Sequence, residues 1–444
     1  MIDTEQIPEE DWKNVEIIGW LYQYYIAEEN DRVIRAKKRY KKEEIPYATQ
    51  LFTPKWIVRY MVQNSLGRYW IESHPEHHDL VQSWEFYLEN TNPDEEFKQK
   101  LEPYINNKLN VEDIKCFDPA MGSGHVLVYM FDILFQIYSK CGYLERDIPK
   151  LIIENNLYGL DIDKRAYQLA CFSVVMKALE YNKRFLRHIE RDGLTLNLAI
   201  IQETNHLNAD DISFLAGEPN NENYEKIKVF LEQFKDAKAI GSLIQIESLD
   251  IDLLQERLLE LENQSNDLFI TEKRERLLPL FKQLIKQALI MNSRYDIFVT
   301  NPPYAGRRYL TKEITEYIDE HYPDVKSDLF SSFIEYSFTM TKENGQMGFM
   351  TPYVWMFISS YEKLRKKIIK NRNISSLVQL EYSGFDGATV PICTFTLRNY
   401  NSGTEGEYVR LADFRGAANQ SIKTLEAVQN PSVPYRYTFN QEDF

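Results

Sequence analysis

Apolar runs in the middle of the chain follow two different spacings. A short apolar run at 114–117 leads into the loop DPAMGSG (118–124) and then into the apolar helical pattern HVLVYMFDILFQIYSK. A second run, NLYGLDID, precedes a helical pattern from about Lys164 to Glu180. Short apolar runs beside turn residues are typical of buried strands, and longer runs of helices. The order strand, glycine turn, helix, strand, helix predicts a doubly wound α/β start.

A second set of elements is predicted after residue 290. Strands are expected at 295–300, in QMGFMTPYVW and in SSLVQLEYS, with a final pair around FDGATVPICTFTLRN. Helices are expected around 327–343 and in the basic run KLRKKIIKNR (363–372). Between the two sets, the leucine-rich segments of 181–290 have helical spacing. They predict either an inserted helical arm or a helix pair packed on the sheet.

Length and charge exclude several classes of protein. At 444 residues, two or three folding units are expected. A net charge of −15 and a pI near 5.1 argue against a protein that coats nucleic acid by bulk electrostatics. The N-terminus has no apolar signal core, and IIGWLYQYYIA is too short to span a bilayer. A cytoplasmic protein without a membrane partner is therefore expected.

Cysteine and histidine give no clear metal pattern. The four cysteines have no CxxC spacing. His74, His77 and His78 lie in a polar stretch, where a solvated loop is expected in place of a metal site.

The loop after the first predicted strand suits a ligand. Gly122 and Gly124 allow a tight turn and a close backbone approach, and Asp118 can accept from an ammonium or a hydroxyl. Asp161, at the end of the second predicted strand, lies where an acid in such folds binds the two hydroxyls of a ribose. Asp161 or Asp163 can instead cap the following helix. A cofactor that contains a nucleoside is predicted.

The tetrapeptide Asn301-Pro302-Pro303-Tyr304 follows the predicted strand at 295–300. Its prolines fix a rigid turn, because proline cannot continue a helix or donate to a sheet. The Asn301 amide oxygen and the Pro302 carbonyl can then accept from one exocyclic amine. Tyr304 supplies a ring on which a base that has left the DNA helix can stack.

Together these motifs resemble the amino-methylating DNA methyltransferases of the adenine-N6 kind, over about residues 45–400. Thr53-Pro54 resembles their motif X, FDPAMGSG motif I, YGLDID motif II and NPPY the catalytic motif. The resemblance implies a Rossmann-like class I methyltransferase fold with a mixed, mostly parallel seven-stranded sheet, an N-terminal helical segment and a helical insertion. It also implies S-adenosylmethionine as cofactor, bound by Thr53, Pro54, Asp118, Pro119, Ala120, Gly122, Gly124, Asp161, Ile162, Asn301 and Phe333.

Later motifs extend the resemblance. SDLFSSFIE resembles motif V, which brings Phe333 to the cofactor, and GQMGFMTPYVW resembles motif VI. FDGATVPICTFTL resembles motif VIII, whose Phe385 is expected to stack on the target base opposite Tyr304. Ordinary core packing is the alternative for both phenylalanines. The acid of motif III stays open among Asp210, Asp211 and Asp250.

More narrowly, EIIGWLYQYYIAEE with ATQLFTPKWIVRYMV resembles the PglX methyltransferases of BREX phage-defence systems. Members of that family are longer, so a catalytic-domain fragment is expected. The predicted parts are an N-terminal helical segment with motif X (1–72), a polar helical linker (73–113), the cofactor-binding half (114–180), a helical insertion (181–290), the catalytic half (291–400) and the start of a further, truncated region (401–444).

The resemblance implies methyl transfer to N6 of an extruded adenine in double-stranded DNA, in the service of phage defence. Other defence-system proteins are further candidate partners. Arg307 and Arg308 are candidates for phosphate contacts. Three alternatives stay open: a cytosine-N4 methyltransferase, a protein-amide methyltransferase, and a non-catalytic scaffold that binds S-adenosylmethionine.

Overall fold

The computed structural model describes residues 17–49, 51, 53–91, 93–219, 222–263, 268–382, 384 and 390–443. Within these residues the strands are β1 (Cys116–Asp118), β2 (Leu157–Asp161), β3 (Asn197–Ile200), β4 (Tyr295–Thr300), β5 (Thr341–Pro352), β6 (Asn373–Gln379), β7 (Ile392–Arg398), β8 (Gly406–Arg410) and β9 (Arg436–Phe439).

The α-helices of the same residues number eighteen. The first nine are α1 (Ile17–Arg35), α2 (Ile45–Thr49), α3 (Lys55–Val62), α4 (Arg68–Ser73), α5 (Glu95–Leu101), α6 (His125–Lys140), α7 (Ile148–Leu151), α8 (Lys164–Tyr181) and α9 (Phe185–Asp192). The others are α10 (Ala209–Ala216), α11 (Glu222–Glu232), α12 (Ala237–Ile240), α13 (Ile251–Asn263), α14 (Leu268–Met291), α15 (Lys312–His321), α16 (Leu329–Met340), α17 (Glu362–Asn371) and α18 (Ala417–Gln429). None of the helices described here is long and apolar enough to cross a lipid bilayer.

All nine strands join one sheet in the order β3-β2-β1-β4-β5-β7-β6-β8-β9. Strand β1 pairs in parallel with both β2 and β4, so the strand order reverses there. Strand β7 runs antiparallel between β5 and β6, and β9 is antiparallel to β8. In open α/β sheets, ligands bind at the carboxyl ends of the strands beside such a reversal. The ends of β1 and β4 are therefore where a functional site is expected.

Helices cover both faces of the central strands. In β4, Phe298 packs in one apolar cluster with residues of α11 and α13 to α16, whereas Ile297 and Val299 pack in a second cluster with residues of α3, α4, α6 and α8. Successive strand residues point to opposite faces. A parallel sheet buried on both sides explains why the central strands are almost continuously apolar.

The α/β class with a mixed, mostly parallel sheet is confirmed, but the predicted number of seven strands is wrong. Two more strands, β8 and β9, extend the β6 edge of the sheet. Their sequences, GEYVR and RYTF, are partly charged and give no apolar run. The interval 181–290 was expected to be helical, yet it contains β3, which pairs with β2. Helix α14 packs on these strands, as the second alternative had it. The predicted domain boundaries stay predictions.

A buried ion pair ties β8 and β9 to the segment that follows α4. Arg436 donates through Nε to Glu407 at 2.9 Å and through Nη2 to the Glu89 carbonyl at 2.6 Å. The backbone N–H of Thr91 donates to the same Glu407 carboxylate at 2.6 Å. The side chains of Arg436 and Glu407 are 2% and 0% exposed. The two charges therefore compensate each other, and neutral hydrogen-bond partners, which also include Thr438 and the Ala427 carbonyl, bind their remaining polar atoms.

Replacing Arg436 by Met leaves the Glu407 carboxylate buried without a cation, so Arg436→Met is expected to lower the free energy of unfolding by about 3–5 kcal/mol. Arg410→Met on β8 is the matched control, because the Arg410 side chain is 51% exposed and pairs with an exposed aspartate. Its expected cost is about 0.5 kcal/mol or less. Urea unfolding followed by tryptophan fluorescence checks both values, and equal midpoints would contradict the prediction.

Candidate active site

The loop after β1 needs glycine at two positions. Gly122 and Gly124 have φ values of +53° and +90°, in the left-handed region that side chains disfavour. A Cβ on Gly124 would also lie only 3.0 Å from Cα of Ala170 on α8. The loop therefore turns tightly onto the first residue of α6, His125. Free backbone N–H groups at this helix start suit a polar ligand.

Asp118 is buried at the end of β1. The backbone N–H of Ala120 and the hydroxyl of Thr300 both donate to its Oδ1, at 3.0 and 2.8 Å. Both donors are neutral, and no cationic side chain within the described ranges forms an ion pair with this carboxylate. Burial raises the pKa of Asp118 to about 7. A cationic ligand group beside Oδ2 would stabilise the ionised form.

Asp161 and Asp163 have separate tasks. Asp161 accepts from the backbone N–H groups of Gly122 (2.9 Å) and Asp163 (2.7 Å), and burial raises its pKa to about 6. Asp163 caps α8, accepting from the Arg165 N–H at 2.9 Å and from the Tyr22 hydroxyl at 2.6 Å. Burial favours its neutral acid, but the Arg165 guanidinium, together with these hydrogen bonds, outweighs burial and lowers the pKa of Asp163. Asp161 thus faces the glycine loop while Asp163 supports the helix.

Asn301 joins the end of β4 to a distant segment. Its Nδ2 donates to the Leu51 carbonyl and to the Thr53 hydroxyl, each at 3.0 Å. Its Oδ1 accepts from the Tyr304 hydroxyl at 2.6 Å. Because both hydrogens of the amide are bound to the 51–53 segment, the orientation of the oxygen is fixed. Thr53, predicted as a cofactor residue, thus also orients Asn301.

Tyr304 is held in reach of two acceptors. Its hydroxyl lies 2.6 Å from Asn301 Oδ1 and 2.9 Å from the Met350 carbonyl oxygen on β5. An amine that binds Asn301 Oδ1 can therefore take the place of the hydroxyl without leaving the hydroxyl unsatisfied. The turn itself is braced by Asp328, the cap of α16, which accepts from the Ala305 N–H at 3.0 Å.

One cleft brings most of the predicted residues together. It is open to solvent and has a volume of about 1120 Å³ when its mouth is included. Among the predicted cofactor residues, its walls include Thr53, Asp118, Pro119, Ala120, Gly122, Asp161, Ile162, Asn301 and Phe333. Pro303 is also in the wall, whereas Pro54 and Gly124 lie next to it as the residues that precede α3 and α6.

The cleft has a wall that the sequence patterns did not reveal. Residues 239–242, Ala-Ile-Gly-Ser, lie opposite the glycine loop, and the Ser242 hydroxyl donates to the Pro119 carbonyl at 2.5 Å. A run of small residues around a glycine is the sequence signal that could have identified this close approach, and Gly241 has a φ of +76° in the structure. Gly19 of α1 also lines the cleft.

The three candidate acids for motif III all lie outside the cleft walls. Asp210 pairs with Lys273 and Asp211 with Arg276, while Asp250 accepts from the backbone N–H of Leu253. Their contacts are those of helix caps and ion pairs, of which the Asp211 pair is buried on the aspartate side.

The remaining predicted residues meet different surroundings. Phe385 lies outside the described residues. Arg307 forms a bidentate ion pair with Asp319, so its guanidinium is already compensated. Arg308 is exposed and lies over the Tyr309 ring, 4.5 Å from its centre. Of the two predicted phosphate contacts, Arg308 is the one with its charge available.

The histidine-rich stretch is not simply solvated. His74 stacks on Trp70 with ring centres 4.0 Å apart, and its Nε2 lies 2.9 Å from the Leu109 carbonyl oxygen. Its Nδ1 lies 3.0 Å from the Glu76 carboxylate, and His77 accepts from the Trp70 indole at 3.2 Å. Side-chain atoms of His74, Glu76 and His77 come within 4.8 Å of one another, a spacing that a metal ion could use. This cluster lies outside the walls of the cleft.

Comparison with known proteins places these motifs in a family. The chain is 38% identical over 426 residues to the adenine-specific methyltransferase BrxX of Escherichia coli O9:H4 (strain HS), covering 90% of this chain and 34% of BrxX. It is 36% identical over 445 residues to the adenine-specific methyltransferase PglX of Lacticaseibacillus casei (strain Zhang), covering 97% of this chain and 36% of PglX. The chain thus spans about a third of the length of both relatives, and the resemblance to PglX is confirmed.

Among solved structures, the cryo-EM structure of a DrdV–DNA complex matches 98% of this chain and 33% of that chain, with 13% identity and a TM-score of 0.49. Residues 155–385, more than half of the chain, match the Eco57I restriction-modification methylase family. The chain belongs to this family.

Proposed function

We propose that this protein transfers a methyl group from S-adenosylmethionine to N6 of an adenine that has been extruded from double-stranded DNA. The observation that carries the proposal is the fixed amide of Asn301. Its two hydrogens are held by the 51–53 segment, and its oxygen is therefore left to accept from an amine. The same residue lines the cleft that holds Asp118 and Asp161, so amine and cofactor meet at one point.

The cleft suits S-adenosylmethionine on chemical grounds. Two carboxylates, the buried Asp118 and the half-buried Asp161, have raised pKa values and only neutral hydrogen-bond donors within the described ranges. The cofactor has an ammonium group for one and two ribose hydroxyls for the other. Phe333, in the cleft wall, offers an apolar surface for the adenine ring of the cofactor. When bound, the cofactor supplies an electrophilic methyl group on a sulfonium.

The residues of the chain act by positioning and electrostatics. Asn301 Oδ1 and the Pro302 carbonyl orient the attacking amine in line with the methyl group and the sulfur. The amine becomes positive as the methyl group is transferred, so these two acceptors stabilise the transition state more than the neutral ground state. No covalent intermediate with the protein is required. Tyr304 stacks on the target base. Once the amine has bound Asn301 Oδ1, the Tyr304 hydroxyl donates only to the Met350 carbonyl.

The biological role that we propose is modification of host DNA in a phage-defence system. Both relatives, BrxX and PglX, are named adenine-specific methyltransferases, which supports adenine over cytosine or a protein amide as methyl acceptor. Arg308 is the proposed phosphate contact beside the catalytic turn, because its charge is not compensated by a carboxylate within the described ranges.

Asn301→Ala removes the acceptor for the amine and is expected to lower the rate of methyl transfer by about 10²–10³-fold. The measurement uses purified protein, labelled S-adenosylmethionine and DNA from cells that lack the gene, followed by nucleoside mass spectrometry. Asn263→Ala, an exposed position at the end of α13, is the matched control and should retain activity. Wild-type activity in Asn301→Ala would refute the mechanism. N4-methylcytosine, or label only in protein, would favour the alternative acceptors.

The ring and the hydroxyl of Tyr304 are expected to matter unequally. Tyr304→Phe keeps the stacking surface and should change the rate by about threefold or less, because the hydroxyl leaves Asn301 when the amine binds. Tyr304→Ala removes the surface and should lower the rate by about 10–10²-fold. The same assay under saturating cofactor compares the two variants, and equal losses would show that the hydroxyl, not the ring, is needed.

Asp118→Asn tests whether Asp118 binds the cofactor. Both protein donors reach Oδ1, so the variant keeps those bonds and places an amide donor where an ammonium would bind. It should bind S-adenosylhomocysteine about tenfold more weakly or worse, measured by calorimetry. Equal affinity would contradict the assignment.

The same substitution is expected to raise the stability of the fold although it weakens cofactor binding. The pKa of Asp118 is about 7 in the folded protein, whereas its usual value is 3.8. Between these two pH values the folded wild type holds a proton that the unfolded chain has released. The free energy of unfolding of the wild type therefore falls as pH rises from 3.8 to about 7. Asp118→Asn lacks this loss. Its melting temperature should equal that of the wild type near pH 4 and exceed it increasingly up to about pH 7, where the difference becomes constant.

A further inference from the structure

An exposed apolar pair lies at the same edge of the sheet as the catalytic turn. Phe357 and Ile358 follow β5, and their side chains are 65% and 47% exposed. Strand β5 pairs in parallel with β4, the strand that ends before Asn301. Both segments therefore leave neighbouring strands in the same direction, and the apolar pair lies beside the turn that receives the target base.

The apolar pair is held rigidly in its exposed position. The Arg365 guanidinium of α17 donates to the carbonyls of Trp355 and Ile358, each at 2.7 Å. The backbone N–H groups of Phe357 and Ile358 both donate to the Val354 carbonyl, at 3.2 and 3.0 Å. Tyr353 contacts the Phe357 ring edge-on at 5.9 Å. If the two apolar side chains were exposed only because the core has no room for them, the loop would not need these hydrogen bonds to hold them in water.

Buried rings connect this tip to the catalytic turn. Tyr361, just after the tip, packs on Phe330 with ring centres 5.6 Å apart, and Phe330 contacts Tyr304 at 6.2 Å. The tip and the base-stacking residue are thus fixed relative to each other. A rigid spacing is what two elements need if they engage adjacent positions of one ligand.

The charge beside the tip suits a polyanion. Helix α17 carries five cationic side chains, at Lys363, Arg365, Lys366, Lys367 and Lys370. Three of them, Lys363, Lys366 and Lys367, are paired with carboxylates. Arg365, which contacts the tip, and Arg308, which follows the catalytic turn, have no carboxylate partner within the part of the chain that the structure describes. Apolar side chains flanked by cations are the combination by which proteins insert a wedge between base steps while they hold the phosphates.

We propose that Phe357, supported by Ile358, enters the DNA duplex and fills the gap that the extruded adenine leaves. This inference rests on the proposed function and deepens it, because it assigns the side chains that stabilise the flipped state. Extrusion costs stacking and pairing, and an apolar ring in the vacated position recovers part of that stacking. Phe357 is a positioning residue, since it contacts the duplex and not the reacting atoms.

The test compares paired with unpaired target adenines. The substrate is an oligonucleotide duplex that contains the sequence methylated by the wild-type protein, and its partner carries an abasic site opposite the target adenine. Phe357→Ala is expected to methylate the paired duplex about tenfold more slowly than the wild type and the abasic duplex within about twofold, because an unpaired base is already easier to extrude. Phe357→Trp, which keeps a stacking ring, should restore the rate on the paired duplex.

Phe172→Ala is the matched control, because Phe172 is 50% exposed on α8, away from this edge of the sheet. Wild-type rates for Phe357→Ala on both duplexes would overturn the proposal. Equal slowing on both duplexes would overturn the proposal as well. It would indicate that Phe357 contacts another part of the protein or supports the fold, and does not fill the gap left by the adenine. If the wild-type protein methylates no adenine in the DNA from which the target sequence is to be identified, the proposed function itself fails, and this outcome is distinct from the other two.

Discussion

The side-chain amide of Asn301 is the contact on which the geometry of the site depends. It spans 250 residues of sequence to the Leu51 carbonyl and also binds Thr53, while its oxygen accepts from Tyr304. A side-chain amide has two donors and one acceptor oxygen, so anchoring both donors leaves only one direction for the oxygen. Leu51 and Thr53, which precede α3, therefore fix the direction of the oxygen that we propose to be catalytic. Strands β4 and β1 place this amide next to Asp118.

The two carboxylates of the site, Asp118 and Asp161, lower the stability of the fold when they are ionised. Asp118 is buried and Asp161 half-buried, without a cation from the described residues. Burial, with a smaller contribution from a neighbouring carboxylate, raises their pKa values to about 7 and about 6. Elsewhere the protein compensates its buried charges, as Glu407 and Arg436 show. Uncompensated carboxylates in a cleft are typical of positions kept for a ligand.

The central strands and the first residue after each could be predicted, because parallel strands buried on both faces leave continuous apolar runs. Asp118, Asp161 and Asn301 stand directly after such runs. Strands β8 and β9 could not be predicted, since they bury charged residues whose partners are distant in sequence. Strand β3 is short and lies among leucine-rich helices. The cleft wall at 239–242 acts through its backbone and small side chains, which carry no recognisable chemistry. The bond between Thr53 and Asn301 exists only in the folded chain.

The proposed recognition of DNA by a protein of net charge −15 has to depend on the local arrangement of its cationic side chains. Most cations of α17 are already paired with carboxylates: Lys363 and Lys367 with Asp324, and Lys366 with Glu362. These pairs reduce the number of phosphates that the helix can neutralise, so non-specific attraction to DNA is weak. Arg365 keeps its charge but uses one nitrogen to hold the Phe357 tip. At this edge, shape and stacking are therefore expected to contribute more to the proposed engagement of a duplex than charge does.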